Sequence, residues 1–365
     1  MSIFSGSYLK EDVQFLLKPI DIASTALYEK ELLIQSGKKH YSEMITKESL
    51  PSAAYLALFE QALFQNKQRM AKDLWQLAQK IHYQKKSEIV LCSLARAGTP
   101  IGVLLKRILQ HYFKRDCVHY SISIIRDKGI DRNALHYILN NHAHAESLTF
   151  IDGWTGKGVI NSELQKSISA FNCKYQTQIC ADLYVLNDIA GVAAHTVSHE
   201  DYLIPSSLLN ATISGLISRS ILNRDYLNET DFHGCFYYAA FEKEDLSVKF
   251  IDEIMQTLAE NFAAFTQNSD LSINNQAARL KQSQQFIQYL KETYQINNVN
   301  LIKPGIGEAT RVLLRRLPNL LIVKQLKSPA TQHLVLLAKE KNVPIIENRS
   351  MPYQATAIIT EHHYE

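Results

Sequence analysis

The five cysteines of this 365-residue chain stand far apart, at positions 92, 117, 173, 180 and 235, and none pair at Cys-x-x-Cys spacing. An odd, scattered set excludes a disulfide framework and a cysteine-built zinc cage. No apolar run approaches the ~18 residues that a membrane span needs. Lys10, Glu11 and Asp12 interrupt the start before the apolar core of a secretory signal can form, so a cytoplasmic protein with reduced thiols is expected. Charge of one sign is missing as well. The 39 Lys and Arg face 36 Asp and Glu, and a net +3 is too small for the whole surface to bind nucleic acid. There is no internal repeat and no low-complexity tract, which excludes a solenoid. What is present is 46% hydrophobic and 21% charged, the composition of a folded chain with length for about two to three domains.

Residues 1–85 read as mainly helical, with Tyr55, Leu58, Leu63, Met70, Leu74, Leu77 and Ile81 recurring at roughly helical spacing. Ser87–Leu94 then reads as a buried strand, followed by a small-residue turn and a helix over Ile101–Tyr112. The pattern repeats: strands at Tyr120–Ile125, Ser147–Asp152 and Asp182–Leu186, helices at Asn133–Asn140 and Glu163–Phe171. Such alternation predicts an α/β unit with a parallel sheet. Helix returns over Glu244–Tyr294, and a smaller α/β alternation occupies Ile296 onward.

Two turns carry most of the chemistry. An apolar strand delivers Asp152 and leads through Gly153-Trp154 into Thr155-Gly156-Lys157-Gly158 before a helix. Backbone N–H groups of a glycine-rich turn at a helix N-terminus cradle a phosphate beyond the carboxyl ends of the strands. Thr155 and Lys157 would add a hydroxyl and a charge, Asp152 would accept from sugar hydroxyls, and at least one residue of the 155–158 turn, Gly156 the first choice, is expected to need a positive φ. A plain strand-to-helix turn with a capping threonine also fits. Upstream, Arg96-Ala97-Gly98-Thr99-Pro100 follows the earlier strand and suits a second anion, although turn geometry alone explains its Gly and Pro. Between them, Arg126-Asp127-Lys128-Gly129 is either a phosphate-closing loop or a solvated surface loop.

The apolar strand, Asp152 and Thr155-Gly156 resemble the phosphoribosyl-diphosphate loop of type I phosphoribosyltransferases, with Gly153 where that family has a second acid. Over about residues 1–235, the segments Ser93–Pro100, Ile124–Asp131 and Phe150–Gly158 resemble the phosphoribosyltransferase-like proteins of tellurite and stress-resistance operons, also labelled cysteine protease StiP. That resemblance implies a type I phosphoribosyltransferase-like sheet with a helical N-terminal extension. It also implies phosphoribosyl diphosphate with Mg²⁺ as substrate and cofactor. Asp152, Arg96, Arg126 and Lys128 would be the catalytic residues, and Ala97, Gly98, Thr99 and Thr155 to Gly158 the phosphate and diphosphate contacts. An acceptor base would be read by a strand-end loop near Leu186–Ala194.

Residues 296–365 carry nine Lys and Arg against five Glu and no Asp, a local excess of four positive charges. There, Lys303-Pro304-Gly305-Ile306-Gly307-Glu308-Ala309-Thr310-Arg311 resembles the RNA-contacting turn and helix of the L7Ae/Pelota family. The resemblance implies a small C-terminal α/β domain that meets RNA through Lys303, Gly305, Gly307, Glu308 and Arg311. A basic-rimmed interaction domain is the other reading.

The expected organisation is a phosphoribosyltransferase-like unit over 1–235, a helical linker over 236–295 and a Pelota-like RNA-binding domain over 296–365. A homo-oligomer is compatible with it. Two alternatives stay open. One is a cysteine protease, for which Cys235 in Asp231-Phe232-His233-Gly234-Cys235 is the nucleophile to consider, with His195 and His199 as distant partners or an i, i+4 metal pair. The other is a non-catalytic nucleotide sensor that binds RNA.

Overall fold

The strand–helix alternation after residue 89 closes into a parallel sheet in the computed structural model, which describes residues 3–142, 144–267, 276–316 and 318–359. Two short strands come first, β1 (Gln14–Leu16) and β2 (Lys18–Pro19), then helices α1 (Leu27–Gln35) and α2 (Ala53–Gln84). The α/β run follows as β3 (Ile89–Ala95), α3 (Gly98–His111), β4 (Cys117–Ile125), β5 (Gly129–Ile130), α4 (Arg132–Asn141), β6 (Leu148–Thr155), α5 (Val159–Tyr175) and β7 (Leu183–Asp188). After β8 (Gly234–Cys235) come α6 (Ser247–Gln267) and α7 (Gln276–Thr293). The chain finishes with β9 (Ile302–Pro304), α8 (Ile306–Arg315), β10 (Pro318–Val323), α9 (Gln332–Glu340), β11 (Ile345–Glu347) and β12 (Ala355–Ile359).

The main sheet runs β1-β4-β3-β6-β7, all parallel, with β5 antiparallel on β4. Its strands are apolar along their length because both faces are covered. α2, α3 and α6 pack one face, where Phe59, Leu63, Met70, Leu74 and Ile81 of α2 meet Phe250, Ile254 and Leu258 of α6. α4 and α5 cover the other with Leu135, Ile138, Leu164 and Ile168. α2 persists for 32 residues because it holds no Gly or Pro and its first turn is capped by Ser52 Oγ, which accepts from Tyr55 N. Among the described residues no helix is long and apolar enough to cross a membrane.

Chain order and spatial order diverge between β3 and β6, so the crevice of this sheet opens at the carboxyl ends of those two strands. Ala95, Ile125, Thr155 and Asp188 are the last residues of β3, β4, β6 and β7. The turns after all four therefore gather on one edge.

Three sequence expectations are corrected. The helical reading of the first 85 residues holds for α2 but not for the stretch before Ala53, where α1 is joined by two short strands. One of them, β1, joins the main sheet beside β4, and a strand of three residues is too short to show a period. β6 continues through Thr155 instead of stopping at Asp152. The described part of 236–295 is helical as expected but packed and not a free linker, because α6 buries its apolar face on α2 and α7 packs Phe286 and Leu290 against Leu320, Ile322 and Ile358 of the small sheet. That sheet runs β11-β10-β12-β9, with α8 and α9 on the face opposite α7.

Candidate functional site

At the β3–β6 crevice the backbone comes very close. A Cβ on Gly98 would lie 2.5 Å from Ile151 O and 3.1 Å from the Asp152 Cα, and one on Gly153 would lie 3.3 Å from Ala97 O. Glycine at 98 is what lets α3 start against β6. Thr99 does not face a ligand, because its Oγ1 is buried and shares a 2.7 Å hydrogen bond with Ser121 Oγ. The Ala95–Arg96 peptide is cis.

Asp152 Oδ1 accepts from Gly153 N at 2.7 Å. Burial, with Glu308 adding repulsion against the help of the Gly153 bond, pushes the Asp152 carboxyl up to about 7. Asp73, in α2 against the Tyr202 hydroxyl, is pushed up to about 7 by burial as well. Both groups bind a proton more tightly folded than unfolded. Their contribution to stability is complete below an ordinary Asp value and is lost as pH rises through about 7. The melting temperature is expected to fall between pH 5 and pH 8, and Asp152→Asn to flatten that slope by an amount on the order of 1 kcal/mol. A slope identical in Asp152→Asn and in the natural chain would place the titration elsewhere.

The turn after β6 is tied up more than its sequence suggests. Thr155 Oγ1 donates to Asp188 Oδ1, and the same Asp188 carboxylate receives Ala190, Gly191 and Ala193 N–H groups. Asp188 thereby shapes the start of the loop expected to read an acceptor. Lys157 Nζ donates to Val299 O at 2.6 Å and Ile302 O at 2.8 Å, and burial first, then Lys303, lowers it to about 7. It fastens the β6 turn to the C-terminal unit instead of reaching for a phosphate. The positive φ lies at Gly158, +81°, and not at Gly156, where a Cβ would meet only Pro304 at 3.7 Å.

The cations gather on the β3–β4 side. Arg96 pairs with Glu48 at 2.6 Å and donates to Ile217 O at 2.9 Å. Arg126 and Arg219 face one Tyr41 ring at 5.2 and 5.3 Å, and Tyr41 Oη accepts from Arg126 N. Arg126 also pairs with Asp127 at 3.1 Å, while Lys128 is exposed. Arg219 Nη2 donates to Met44 O, but its buried Nη1 has no hydrogen-bond partner, and no carboxylate pairs with it among the described residues. Burial first, and then Arg96 and Arg316, lower Arg219 to about 10. No motif marks Arg219, which sits between two serines in an irregular loop that only the tertiary fold brings to the sheet edge.

The segment expected to touch RNA closes over this edge. Asp201 Oδ1 accepts from Ile306 N at 2.9 Å and its Oδ2 from Gln354 N at 2.8 Å, holding the start of α8 down. A Cβ on Gly305 (φ +92°) would lie 2.6 Å from Ile189 Cδ1, and one on Gly307 3.0 Å from Ser207 Oγ. Burial works to raise Glu308, yet Arg311, Lys303, Lys157 and Arg316 hold it below the ordinary carboxylate range. Arg311 pairs with it at 3.2 Å. Lys303 is lowered mainly by burial. Lys303, Gly305, Gly307 and Glu308 thus face the main sheet.

Three thiols are buried, and burial pushes Cys92 and Cys117 up to about 12 and Cys235 higher still. His233, two residues from Cys235, aims Nδ1 at Ser123 Oγ, 2.7 Å away. His195 Nε2 meets Asp182 at 3.2 Å and His199 Nδ1 meets Asp188 O. Among the described residues no three His, Cys, Asp or Glu groups are placed to hold a metal ion.

Comparison with known proteins completes the picture. A family described as "Tellurite-like stress resistance cysteine protease StiP" matches residues 6–255, and one described as "PELOTA RNA binding domain" matches residues 281–361. A protein of Acinetobacter baylyi named "Cysteine protease StiP" is 45% identical over 368 residues, spanning 98% of this chain and 94% of that one. Among solved structures, a hypoxanthine-guanine phosphoribosyltransferase from Bacillus anthracis is 13% identical with a TM-score of 0.29, over 52% of this chain and 96% of that one. That likeness is too remote to argue from.

Proposed function

Because this chain belongs to the StiP family of tellurite-like stress resistance, we propose from its sheet edge that it binds the diphosphate of a ribosyl metabolite there, and that it is an enzyme of phosphoribosyl transfer carrying an RNA-binding domain. The observation that supports this reading is Arg219. A buried guanidinium with an unpartnered Nη1, beside Arg96 and Arg126, is costly unless an anion completes it.

In the reaction, the bond from ribose C1 to the diphosphate oxygen breaks and its electron pair leaves on the diphosphate. The acceptor nitrogen bonds C1 and releases its proton to solvent. Arg96, Arg126 and Arg219 would take the leaving charge, and Asp152 would accept from the ribose hydroxyls, so the protein's part is placement and charge stabilisation. The donor set suits a metal carried in by the diphosphate, since Asp152 offers one carboxylate and Mg²⁺ commonly binds through one or two carboxylates plus substrate phosphates. A bound Mg²⁺ would neutralise charge on the leaving group. The β9–α8 segment, held by Asp201 and Lys157, would have to lift for the ligand to reach the crevice. Asp152→Asn is expected to lower phosphoribosyl diphosphate affinity at least tenfold in a folded chain. Equal binding by calorimetry would remove Asp152 from the site.

The name of the Acinetobacter relative favours the second reading, a cysteine protease. Cys235 is sealed in apolar surroundings. Cys180 is exposed, and its neighbour Asp182 contacts His195, so a thiol, a carboxylate and an imidazole lie along one surface. The order is unfavourable, since partial burial first, and then the charge of Asp182, raise the Cys180 thiol, whereas a nucleophile needs the imidazole beside it. Peptidase activity that disappears in Cys180→Ala or Cys235→Ala would establish the protease. The sheet-edge reading expects both variants to bind diphosphate as the natural chain does.

A further inference from the structure

The RNA-reading turn that the C-terminal sequence resembles is turned inward, so RNA must meet this unit elsewhere. Between α7 and the β11 edge of the small sheet runs an open groove of about 1210 Å³. That exceeds the roughly 300–1,000 Å³ of small-molecule pockets and suits an extended chain. We propose that this groove, and not the β9–α8 turn, is where the chain holds single-stranded RNA. The proposal deepens the RNA-binding part of the function above and rests on it.

Aromatic rings line one wall. Tyr289 is 47% exposed and its ring stacks near Phe286, 6.1 Å away at 28°, with Tyr294 further along. Exposed tyrosines beside cations are the platform on which unpaired bases stack. The cations are only partly compensated. Arg279 spends its donors on the Pro352 and His199 carbonyls, which leave its charge intact. Lys324 makes no ion pair among the described residues. Arg349 is paired with Glu347 at 2.7 Å, the one carboxylate on the groove wall among the described residues. Gln282, Gln285 and Asn348 add donors and acceptors for base edges. The stretch 281–361, which matches the RNA-binding family, contains most of this lining.

Position in the fold agrees. Among the described residues β11 pairs only with β10, and Ile346 is exposed at its outer edge. At the far end His199, Arg279, Lys324 and Pro352 also line a second cavity of about 560 Å³ against α2, which lengthens the path for a strand. The buried His199 Nε2 has no partner at that junction.

The test is fluorescence anisotropy of the full chain with a labelled single-stranded RNA of mixed sequence and with the same RNA as a duplex. It compares 50 and 200 mM salt for the natural chain and two double variants. The groove variant Tyr289→Ala with Lys324→Gln changes an exposed ring and a half-buried lysine that makes no ion pair among the described residues, and a thermal melt checks that the fold is intact. The turn variant is Lys303→Gln with Arg311→Gln. The proposal expects the single strand to bind, with affinity falling as salt rises. It expects a loss of at least tenfold in the groove variant and less than twofold in the turn variant. If the natural chain binds no RNA at 50 mM salt, the RNA-binding reading itself falls. If it binds but the turn variant alone loses affinity, or the duplex binds as tightly, that reading stands and the groove assignment is overturned.

Discussion

An Arg219→Met chain is expected to bind diphosphate between about tenfold and a hundredfold more weakly than the natural chain while melting no lower. A hydrogen bond from a charged donor is worth about 1.5–3 kcal/mol, which sets the loss. The stability half of the result follows from burial. The guanidinium sits under Tyr41 with one unpartnered nitrogen and two further arginines, Arg96 and Arg316, near enough to lower it. Desolvating a cation in such company costs more than its bond to Met44 O returns, and a methionine of similar length keeps the packing without the charge. Isothermal titration with Mg²⁺-diphosphate and a thermal melt on the same preparation check both halves. A lower melting temperature with unchanged affinity would make Arg219 a bolt between the Tyr41 and Met44 segments and nothing more.

Gly98→Val is expected to cost about 3 kcal/mol of stability and to abolish diphosphate binding. The new Cβ would stand 2.5 Å from Ile151 O and 3.1 Å from the Asp152 Cα, both backbone atoms in the middle of the sheet, so relief requires α3 to move away from β6. That movement widens the crevice in which the ligand is held. Gly156→Ala is the contrast, since its Cβ meets Pro304 at ordinary van der Waals distance, and it should fold as the natural chain does. Urea denaturation compares the two, and equal midpoints would mean that the β3–α3 turn is not closely packed on β6.

Much of the fold was legible because its signals are local. β3, β4 and β7 show as apolar runs, and α2 shows its face at helical spacing. The places of Asp152 and Gly98 at the carboxyl ends of β6 and β3 were readable because a strand followed by small residues is itself the signal. What was illegible depends on distant partners. Lys157 looked like a phosphate ligand until its acceptors proved to be Val299 and Ile302 carbonyls. Gly156 attracted the expectation of positive φ that belongs to Gly158, where α5 begins. β1 is three residues long and is defined by its pairing with β4. Arg219 has no motif around it. The inward face of Lys303 to Glu308 follows from Asp201, a carboxylate far away in sequence that caps the start of α8.

The central claim is that the sheet edge completes its arginines with the diphosphate of a ribosyl ligand. The most direct measurement is a calorimetric titration of the full chain with phosphoribosyl diphosphate and Mg²⁺, repeated on Arg219→Met. The account predicts saturable binding at one site per chain, weakened between about tenfold and a hundredfold in the variant and competed by free diphosphate. No binding to the natural chain at millimolar ligand, or equal binding to both chains, would contradict it.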